Sequence, residues 1–506
     1  MALDRRTFLR AGTATAAGVA LGGPFQGFLA RAAGAFGRQG APALVPTRDL
    51  RDNALRLALP PGFAYRSFDA NPNTMSDGTP QDRTITLPGN HDGMGSFKAG
   101  GRQVLLVRNH ERNGSLGAFT TSGPIYDSAG PGGVTYVLVD LEGNRQRTWP
   151  ALAGTQMNCA GGMTPWGTWI TCEETINGPD VFDDFTRNIP TPSPDGEQTY
   201  VQNVRLQKTH GYLFEVPANG TASAAPITQA GRLAHEAAVF DPITGSVFHT
   251  EDNFGFGSGF YRYDPPVDPR SARRIEDGGR LWILGVAGTP QANLSGAQVR
   301  GTRYPVTWIP IDEPDPRFPM SAGRPTVTNN QAISNVVRQG WDDGGAVFSR
   351  LEGITWDKGV MYFTSTQGGG SPEVVNWDVS AENASPPGFG RGTGQVWAYH
   401  PQRNVLEVVY QSASANDLHL PDNVTTSPRG TLILCEDNTP PVGQTNTLQA
   451  LTRAGELIPI ADHLERPGVE FAGAIFSPNG QTLYVNLQTG VAMSVAIWGP
   501  WHTLGV

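Results

Sequence analysis

The chain has 506 residues and a formal net charge of −9, and charged residues make up 16% of it. This length is enough for a large core, and the acidic balance excludes a broad basic surface for nucleic acid. Its 63 glycines and 41 prolines, with so few charges, favour an all-β protein of short strands and many turns.

The N-terminus has the features of an export signal. Asp4-Arg5-Arg6-Thr7-Phe8-Leu9 is a twin-arginine pattern, followed by an apolar run over 11–21 and the cleavage motif Ala30-Arg31-Ala32. The apolar run is too short and too rich in glycine to span a bilayer. We therefore expect residues 1–32 to be a signal peptide that engages the twin-arginine translocation machinery. This predicts a periplasmic or secreted protein without a stable membrane anchor.

A repeat of two short strands recurs six times after the signal, and each copy has a polar residue at its start and end. Several copies turn through a Pro-x-Gly motif, as at Ser427–Gly430 and Ser477–Gly480. The copies begin at Asp92, Cys159, Glu236, Glu352, Asp422 and Glu470. Their spacing is near or above the roughly 40–50 residues of a four-stranded propeller blade.

Closure of such repeats into a ring removes exposed sheet edges, so the sequence predicts an all-β fold, a six-bladed β-propeller with loop insertions. We expect one domain over residues 33–506. Polar or Pro-rich segments interrupt the repeats, and we interpret them as insertions at about 177–202 and about 265–345. We also expect the protein to be a monomer.

Acidic residues cluster at the ends of the repeated strands. In a propeller the innermost strand of each blade lines the central channel, so equivalent residues meet near the axis. A single acid of this kind would be interpreted as a turn cap, but aligned copies favour a metal site. Packed carboxylates repel one another, and cations relieve that repulsion. The candidate metal ligands are Glu173, Glu174, Glu251, Asp252, Glu352, Asp422, Glu436, Asp437 and Glu470.

So many oxygen ligands indicate calcium or a similar ion. Side chains alternate along a strand, so only one member of each adjacent acidic pair faces the channel, and the sequence leaves open which one. Cys159 stands where other repeats begin with an acid, and a thiolate there indicates a transition metal such as iron. Cys172 and Cys435 share a register one residue before Glu173 and Glu436, which indicates buried packing.

Two basic residues are candidates for binding an anionic substrate. Arg350 lies two residues before Glu352, so both side chains share one face of a strand. Its guanidinium could then hold an anion over the site, or pair with a neighbouring carboxylate. His210, close to Lys208, is the histidine best suited to contact an anion.

The longest motif, Asn158–Glu174, resembles the signature of the PhoX family of bacterial alkaline phosphatases. Shorter matches lie at Arg350–Gly353, Pro421–Asn423, Cys435–Asp437 and Glu470–Gly473. The resemblance spans about residues 60–500 and includes the export signal. It implies a six-bladed propeller that hydrolyses phosphate monoesters with calcium and iron at the mouth of the channel.

Carried onto matching positions, the resemblance implies that Cys159 is an iron ligand and that Arg350 binds the substrate phosphate. Glu174, Glu352, one of Glu251 and Asp252, and an acid from the Asp422 or Glu436 motif would share the remaining metal positions. We assign the catalytic roles to Arg350 and Glu352. No Ser or Thr nucleophile with an adjacent base stands out, which favours an oxygen nucleophile held by metal.

Two other functions fit parts of this pattern. A calcium-dependent propeller lactonase or esterase would use the acids but has no need of the Cys159 thiolate. A non-catalytic binding propeller would not need the aligned carboxylates at all.

Overall fold

The protein was analysed as a computed structural model. The structure describes residues 42–70, 73–182, 205–253, 255–377, 392–437, 445–464, 469–488 and 492–506. The predicted signal peptide and most of the predicted insertion at 177–202 lie outside these residues.

Five short strands precede the first repeat. They are β1 (Val45–Thr47), β2 (Leu57–Leu59), β3 (Ala64–Phe68), β4 (Thr74–Ser76) and β5 (Thr84–Thr86). Strands β1 and β2 pair with each other, and so do β4 and β5.

Each of the first two repeats opens a four-stranded antiparallel sheet. The first sheet contains β6 (His91–Gly100), β7 (Gln103–His110), β8 (Gly132–Asp140) and β9 (Arg145–Thr155). The second contains β10 (Asn158–Met163), β11 (Thr168–Glu173), β12 (Leu213–Pro217) and β13 (Pro226–Ile227). In both, the repeat supplies the first two strands of the sheet.

The third and fourth repeats belong to one nine-stranded sheet. Its first half contains β14 (His235–Phe240), β15 (Val247–Glu251), β16 (Phe260–Asp264), β17 (Arg280–Val286) and β18 (Arg303–Pro310), with helix α1 (Pro269–Ala272) between β16 and β17. The hairpin β19 (Met320–Ser321) and β20 (Arg324–Pro325) and helices α2 (Asn329–Ile333) and α3 (Asn335–Asp342) follow. Strands β17 and β18 fall within 265–345, so part of the predicted insertion extends this sheet.

The second half of this sheet contains β21 (Leu351–Asp357), β22 (Val360–Ser365), β23 (Gln395–His400) and β24 (Val405–Gln411). The pairing of Arg303–Pro305 in β18 with residues of β24 joins the two halves.

The last two repeats open the remaining sheets. One contains β25 (Pro421–Thr426), β26 (Leu432–Glu436), β27 (Thr447–Leu451) and β28 (Leu457–His463), and β2 extends it by pairing with β28. The other contains β29 (Glu470–Phe476), β30 (Thr482–Gln488) and β31 (Met493–Trp498). Strand β3 completes that sheet by pairing with β31, so residues from both ends of the described chain share it.

The first strands of the repeats contact one another in chain order, and β29 also contacts β6, which closes a ring. The described chain is therefore all-β with few helices, in a propeller-like arrangement. Apolar side chains fill the spaces between sheets; Ile170 and Cys172 of the second sheet, for example, pack with Phe240 of the third. Among the described residues, no helix combines the length and the apolar character that crossing a membrane requires.

Candidate metal centre

All six first strands contain a β-bulge just inside the ring. In β6 the register with β7 shifts between His91 and Met94. The other shifts lie between Asn158 and Gly161, His235 and Ala238, Leu351 and Ile354, Pro421 and Val424, and Ala472 and Ile475. A bulge bends its strand and changes the direction of nearby side chains. In the first five repeats the shift lies beside the polar start and so affects the direction of its side chain, whereas in the sixth it lies beyond Glu470.

Glycines allow the first strands to approach closely at this level. A Cβ on Gly93 would lie 2.5 Å from Cα of Ala160, and a Cβ on Gly353 would lie 2.7 Å from Cα of Asn423. Gly473, with φ +60, would place a Cβ 2.3 Å from the carbonyl oxygen of Asp92. These positions exclude any larger residue, because the clash would be with backbone.

In five of the repeats, a backbone hydrogen bond joins the end of the second strand to the residue just before the first strand. The N–H of Glu174 donates to the carbonyl of Met157 at 2.9 Å, and the N–H of Asp437 donates to that of Leu420 at 3.0 Å. Equivalent bonds run from Glu111 to Asn90, from Asp252 to Ala234 and from Thr366 to Arg350. Four of the five acceptor residues, Asn90, Met157, Arg350 and Leu420, have φ between 45° and 49°. This left-handed conformation turns the chain sharply just before the first strand of these four repeats.

Side-chain hydrogen bonds to the carbonyl of the polar start also join neighbouring repeats at four of the six junctions. The Nδ2 of Asn109 donates to the carbonyl of Cys159 at 2.6 Å, and Oγ1 of Thr364 donates to that of Asp422 at 2.6 Å. Thr250 donates to the carbonyl of Glu352 in the same way, and Asn486 to that of Asp92. The backbone of these four residues is therefore held from the neighbouring repeat.

An acidic cavity of about 450 Å³ lies at one end of the axis, where the repeats meet. Its ionisable lining consists of Asp92, Glu111, Cys159, Glu174, Glu236, Arg350, Glu352, His419, Asp422, Asp437 and Glu470. Four overlapping groups of three side chains each place their ligand atoms within 4.8 Å of one another. These groups are Asp92–Glu111–Cys159, Cys159–Glu174–Glu236, Glu236–Glu352–Asp422 and Asp422–Asp437–Glu470.

Burial and mutual repulsion make these acids difficult to ionise. Desolvation, with neighbouring carboxylates, raises the pKa of Asp92, Glu236 and Glu470 well above the ordinary range. The same causes raise the pKa of Asp422 to about 7. Bound cations would remove this penalty by favouring the charged forms.

The donor set also fits metal binding. Carboxylates supply the oxygen ligands that calcium prefers, and Cys159 adds one soft sulfur donor suited to a transition metal. Burial and the nearby Glu174 raise the pKa of the Cys159 thiol well above its ordinary value. A metal ion is what would stabilise a thiolate at this position.

Arg350 is the arginine of this cavity. Its Nε lies 3.0 and 3.2 Å from the two oxygens of Asp252, and its Nη2 lies 2.7 Å from Asp252 and 2.7 Å from Glu352. Its Nη1 lies 3.6 Å from Asp437. Burial alone would lower the pKa of Arg350, but these carboxylates outweigh burial and raise it. The sequence left two roles open for Arg350, binding an anion and pairing with a carboxylate. The structure shows the pairing, and the same side chain also lines the cavity.

The acidic pairs divide between the cavity and the interior of the sheets. Glu174 and Asp437 line the cavity, and Asp252 holds Arg350 at its edge. Glu173 instead accepts hydrogen bonds from the backbone of Gln156, Gly211 and Tyr212. Glu251 accepts from the N–H of Gly259 and the hydroxyl of Tyr261, and Glu436 accepts from the N–H of His419 and Thr447. Strand alternation sends these three acids away from the axis.

His210 lies outside the cavity lining and is fully buried. Its Nδ1 is 2.6 Å from Glu173, and its Nε2 is 3.5 Å from Asp127. Burial alone would lower the pKa of His210, but the two carboxylates raise it to about 9. This placement gives the histidine carboxylate partners rather than access to an anionic substrate.

Three acids of the cavity were not among the predicted ligands: Asp92, Glu111 and Glu236. Asp92 and Glu236 were identified only as starts of repeats, in the register of Cys159, and Glu111 holds in the first repeat the position of Glu174 in the second. Strict use of the repeat register would have found them.

No curated protein sequence matches this chain. A family model described as alkaline phosphatase PhoX matches residues 43–146 and 129–490. Among solved structures, the chain is similar to Pseudomonas fluorescens PhoX in complex with vanadate, a transition state analogue. The two are 16% identical, with 91% of this chain and 98% of that chain covered and a TM-score of 0.59. This similarity shows the fold.

Weaker structural similarity extends to gluconolactonases. The Xanthomonas campestris gluconolactonase is 14% identical, with 86% of this chain and 99% of that chain covered and a TM-score of 0.27. The periplasmic gluconolactonase of Pseudomonas aeruginosa is 11% identical, with 82% and 96% covered and a TM-score of 0.34.

Proposed function

This chain belongs to the PhoX alkaline phosphatase family, and we propose that it hydrolyses phosphate monoesters at a calcium- and iron-containing centre on the axis of a six-bladed propeller. The observation that carries this proposal is the convergence of eight carboxylates and one thiol on a single buried cavity, with an arginine at its edge. The ring of six first strands supports the blade count.

The proposed ligand set follows the cavity. Iron is held at Cys159, whose sulfur belongs to two of the groups, one with Glu174 and Glu236 and one with Asp92 and Glu111. Calcium is held in the groups built only from carboxylates, which contain Glu352, Asp422, Asp437 and Glu470. We leave Glu173, Glu251, Glu436 and His210 out of this set because their oxygens and nitrogens contact groups inside the sheets.

Cations bound here would supply charge neutralisation for the phosphoryl oxygens and activation of water. Arg350 binds the phosphate through one guanidinium nitrogen, because a planar guanidinium can pair with carboxylates on one side and donate charge-assisted hydrogen bonds to phosphoryl oxygens on another. Asp252 contacts Nε and Nη2 of Arg350 and so fixes the plane of the guanidinium. Nη1, at 3.6 Å from Asp437, is the nitrogen we assign to the substrate.

The test compares p-nitrophenyl phosphate with a simple lactone, with and without chelator, alongside elemental analysis for calcium and iron. We expect phosphatase activity that chelation abolishes and calcium at least partly restores. Activity on the lactone alone would replace this proposal with a calcium-dependent lactonase. No metal and no turnover of either substrate would favour a binding propeller.

We further propose that residues 1–32 direct export by the twin-arginine route, and that residues 33–506 form one propeller domain that acts as a periplasmic or secreted monomer. Replacement of Arg5 and Arg6 with lysine should then prevent export. Detection of the variant outside the cytoplasm at the wild-type level would contradict the export proposal.

A further inference from the structure

The sixth repeat carries an amide where other repeats carry an acid. Gln488 holds the position that Glu111, Glu174 and Asp437 hold in their repeats. Its Nε2 donates to Oδ2 of Asp92 at 3.0 Å and to Oε2 of Glu111 at 2.9 Å. Both acceptors belong to one of the two groups that contain Cys159. One amide therefore joins two candidate ligands that lie on separate strands.

A second amide lies in the layer directly behind the acids. This layer consists of Gly93, Ala160, Ala237, Gly353, Asn423 and Gly473. Asn423 is the residue of this layer whose side chain extends beyond Cβ. Its Nδ2 donates to Asp422 at 2.7 Å and approaches Glu236 at 3.4 Å, and its Oδ1 accepts from the N–H of Gly473 at 2.5 Å. It thus connects three different repeats near the axis.

Asn423 also separates two cavities. Beyond its layer the axis continues as a cavity of about 330 Å³, lined by apolar side chains that include Val239, Ile354 and Val424. The acidic cavity begins on the other side, at Asp422 and Glu236. The amide therefore lines the apolar cavity and lies directly behind the acids of the other cavity.

We infer that Gln488 and Asn423 are positioning residues, each of which orients two candidate ligands of the centre. An amide NH₂ group only donates hydrogen bonds, so it occupies a lone pair on each carboxylate without adding a negative charge. The acceptor at Asp92 is Oδ2, whereas Oδ1 of Asp92 has no hydrogen-bond partner among the described residues. That oxygen remains available as a ligand atom. This inference rests on the proposed metal centre.

The experiment uses near-isosteric variants that remove only the amide. Gln488→Met and Asn423→Leu are compared with wild type, and Asn446→Leu is the control, because Nδ2 of the buried Asn446 donates to a backbone carbonyl, that of Val469. Iron and calcium per chain are measured after dialysis against graded chelator. Visible absorption of the thiolate–iron pair and thermal unfolding are recorded on the same samples.

Removal of a partner that orients a metal ligand typically lowers metal affinity about 10- to 100-fold. We expect a loss of this size in iron retention and a change in the visible band for Gln488→Met. For Asn423→Leu we expect the loss mainly in calcium retention, because Asp422 belongs to both groups built only from carboxylates, with a smaller loss of iron through Glu236. The control should lose thermal stability but keep both metals.

Wild-type metal retention and an unchanged spectrum in both folded variants would overturn the inference and leave the phosphatase proposal intact. If the variants lose metal but the wild type has no phosphatase activity, the inference stands and the phosphatase proposal is overturned. A wild-type protein free of metal would overturn both. If Gln488→Met does not fold, Gln488→Asn takes its place, since it keeps the amide but shortens its reach, and the same loss is expected.

Discussion

The Sγ of Cys159 lies 3.0 Å from Oε2 of Glu174, and both atoms are buried. Cys159 lies in β10 and Glu174 directly follows β11, its partner strand, and both line one cavity. Two potential ligand atoms this close together, with an oxygen of Glu236 also nearby, are placed to bind one metal ion. The pair is therefore the most direct place to test for iron.

Replacement of Cys159 with serine should remove the iron and the phosphatase activity together. A thiolate bound to iron gives a ligand-to-metal charge-transfer band in the visible range, and serine cannot supply it. Cys172→Ser is the control, because Cys172 is buried in an apolar cluster with Ile170 and Leu213. Absorption, iron content and turnover are measured on all three proteins. A colourless, iron-free wild type with full activity would exclude the iron–thiolate pair.

The adjacent acids Glu436 and Asp437 should respond differently to neutralisation. Each carboxylate oxygen of Glu436 accepts a hydrogen bond from a backbone N–H, and Glu436→Gln replaces one of these oxygens with an NH₂ group. We therefore expect the unfolding free energy to fall by about 1–3 kcal/mol, with much of the bound calcium retained. Asp437→Asn changes a residue that lines the cavity, so calcium retention should fall while folding is maintained. Urea unfolding and elemental analysis separate the two effects. Equal metal loss in both variants would contradict the assigned orientations.

Arg350→Lys should lower kcat/KM for p-nitrophenyl phosphate by at least about tenfold, because a single ammonium cannot pair with Asp252 and Glu352 and also reach the phosphate as the forked guanidinium can. Calcium content should change little, since the charge near Asp252 and Glu352 is preserved. Arg303→Lys, at an exposed pair with Glu407, is the control. Unchanged kinetics in Arg350→Lys would remove this residue from phosphate binding.

Metal-free protein should become less stable as the pH rises from about 4 to 7. The pKa of Asp422 is raised from 3.8 to about 7 in the folded state, so the folded protein binds more protons over this window than the unfolded chain does. Each such group lowers the unfolding free energy by about 1.4 kcal/mol per pH unit.

Calcium should remove most of this dependence, because the ions favour the ionised carboxylates. The measurement is urea unfolding at several pH values with calcium or with chelator. Buried histidines, whose pKa values burial lowers, act in the opposite direction in this window, so the series is repeated on Asp422→Asn. The same pH dependence in Asp422→Asn and wild type would contradict the raised pKa of Asp422.

The sequence by itself determined the all-β class, the six repeat starts and the family. These features are local: turn residues, alternation of apolar residues and motifs such as Asn158–Glu174 are read within one or two strands. The same register indicated that acids such as Glu352 and Asp422 would meet at the axis, because equivalent positions in a ring converge.

Tertiary structure decided which acid of each adjacent pair reaches the cavity, and it placed His210 between Glu173 and Asp127. Both outcomes depend on the register of the strands, and on which backbone N–H groups face each acid, as those of Gly211 and Thr447 face Glu173 and Glu436. Backbone donors compensate the charge of these two acids away from the axis, whereas the charged Arg350 compensates Glu352 at the cavity. That balance is set by segments distant in sequence, so single-strand patterns could not reveal it.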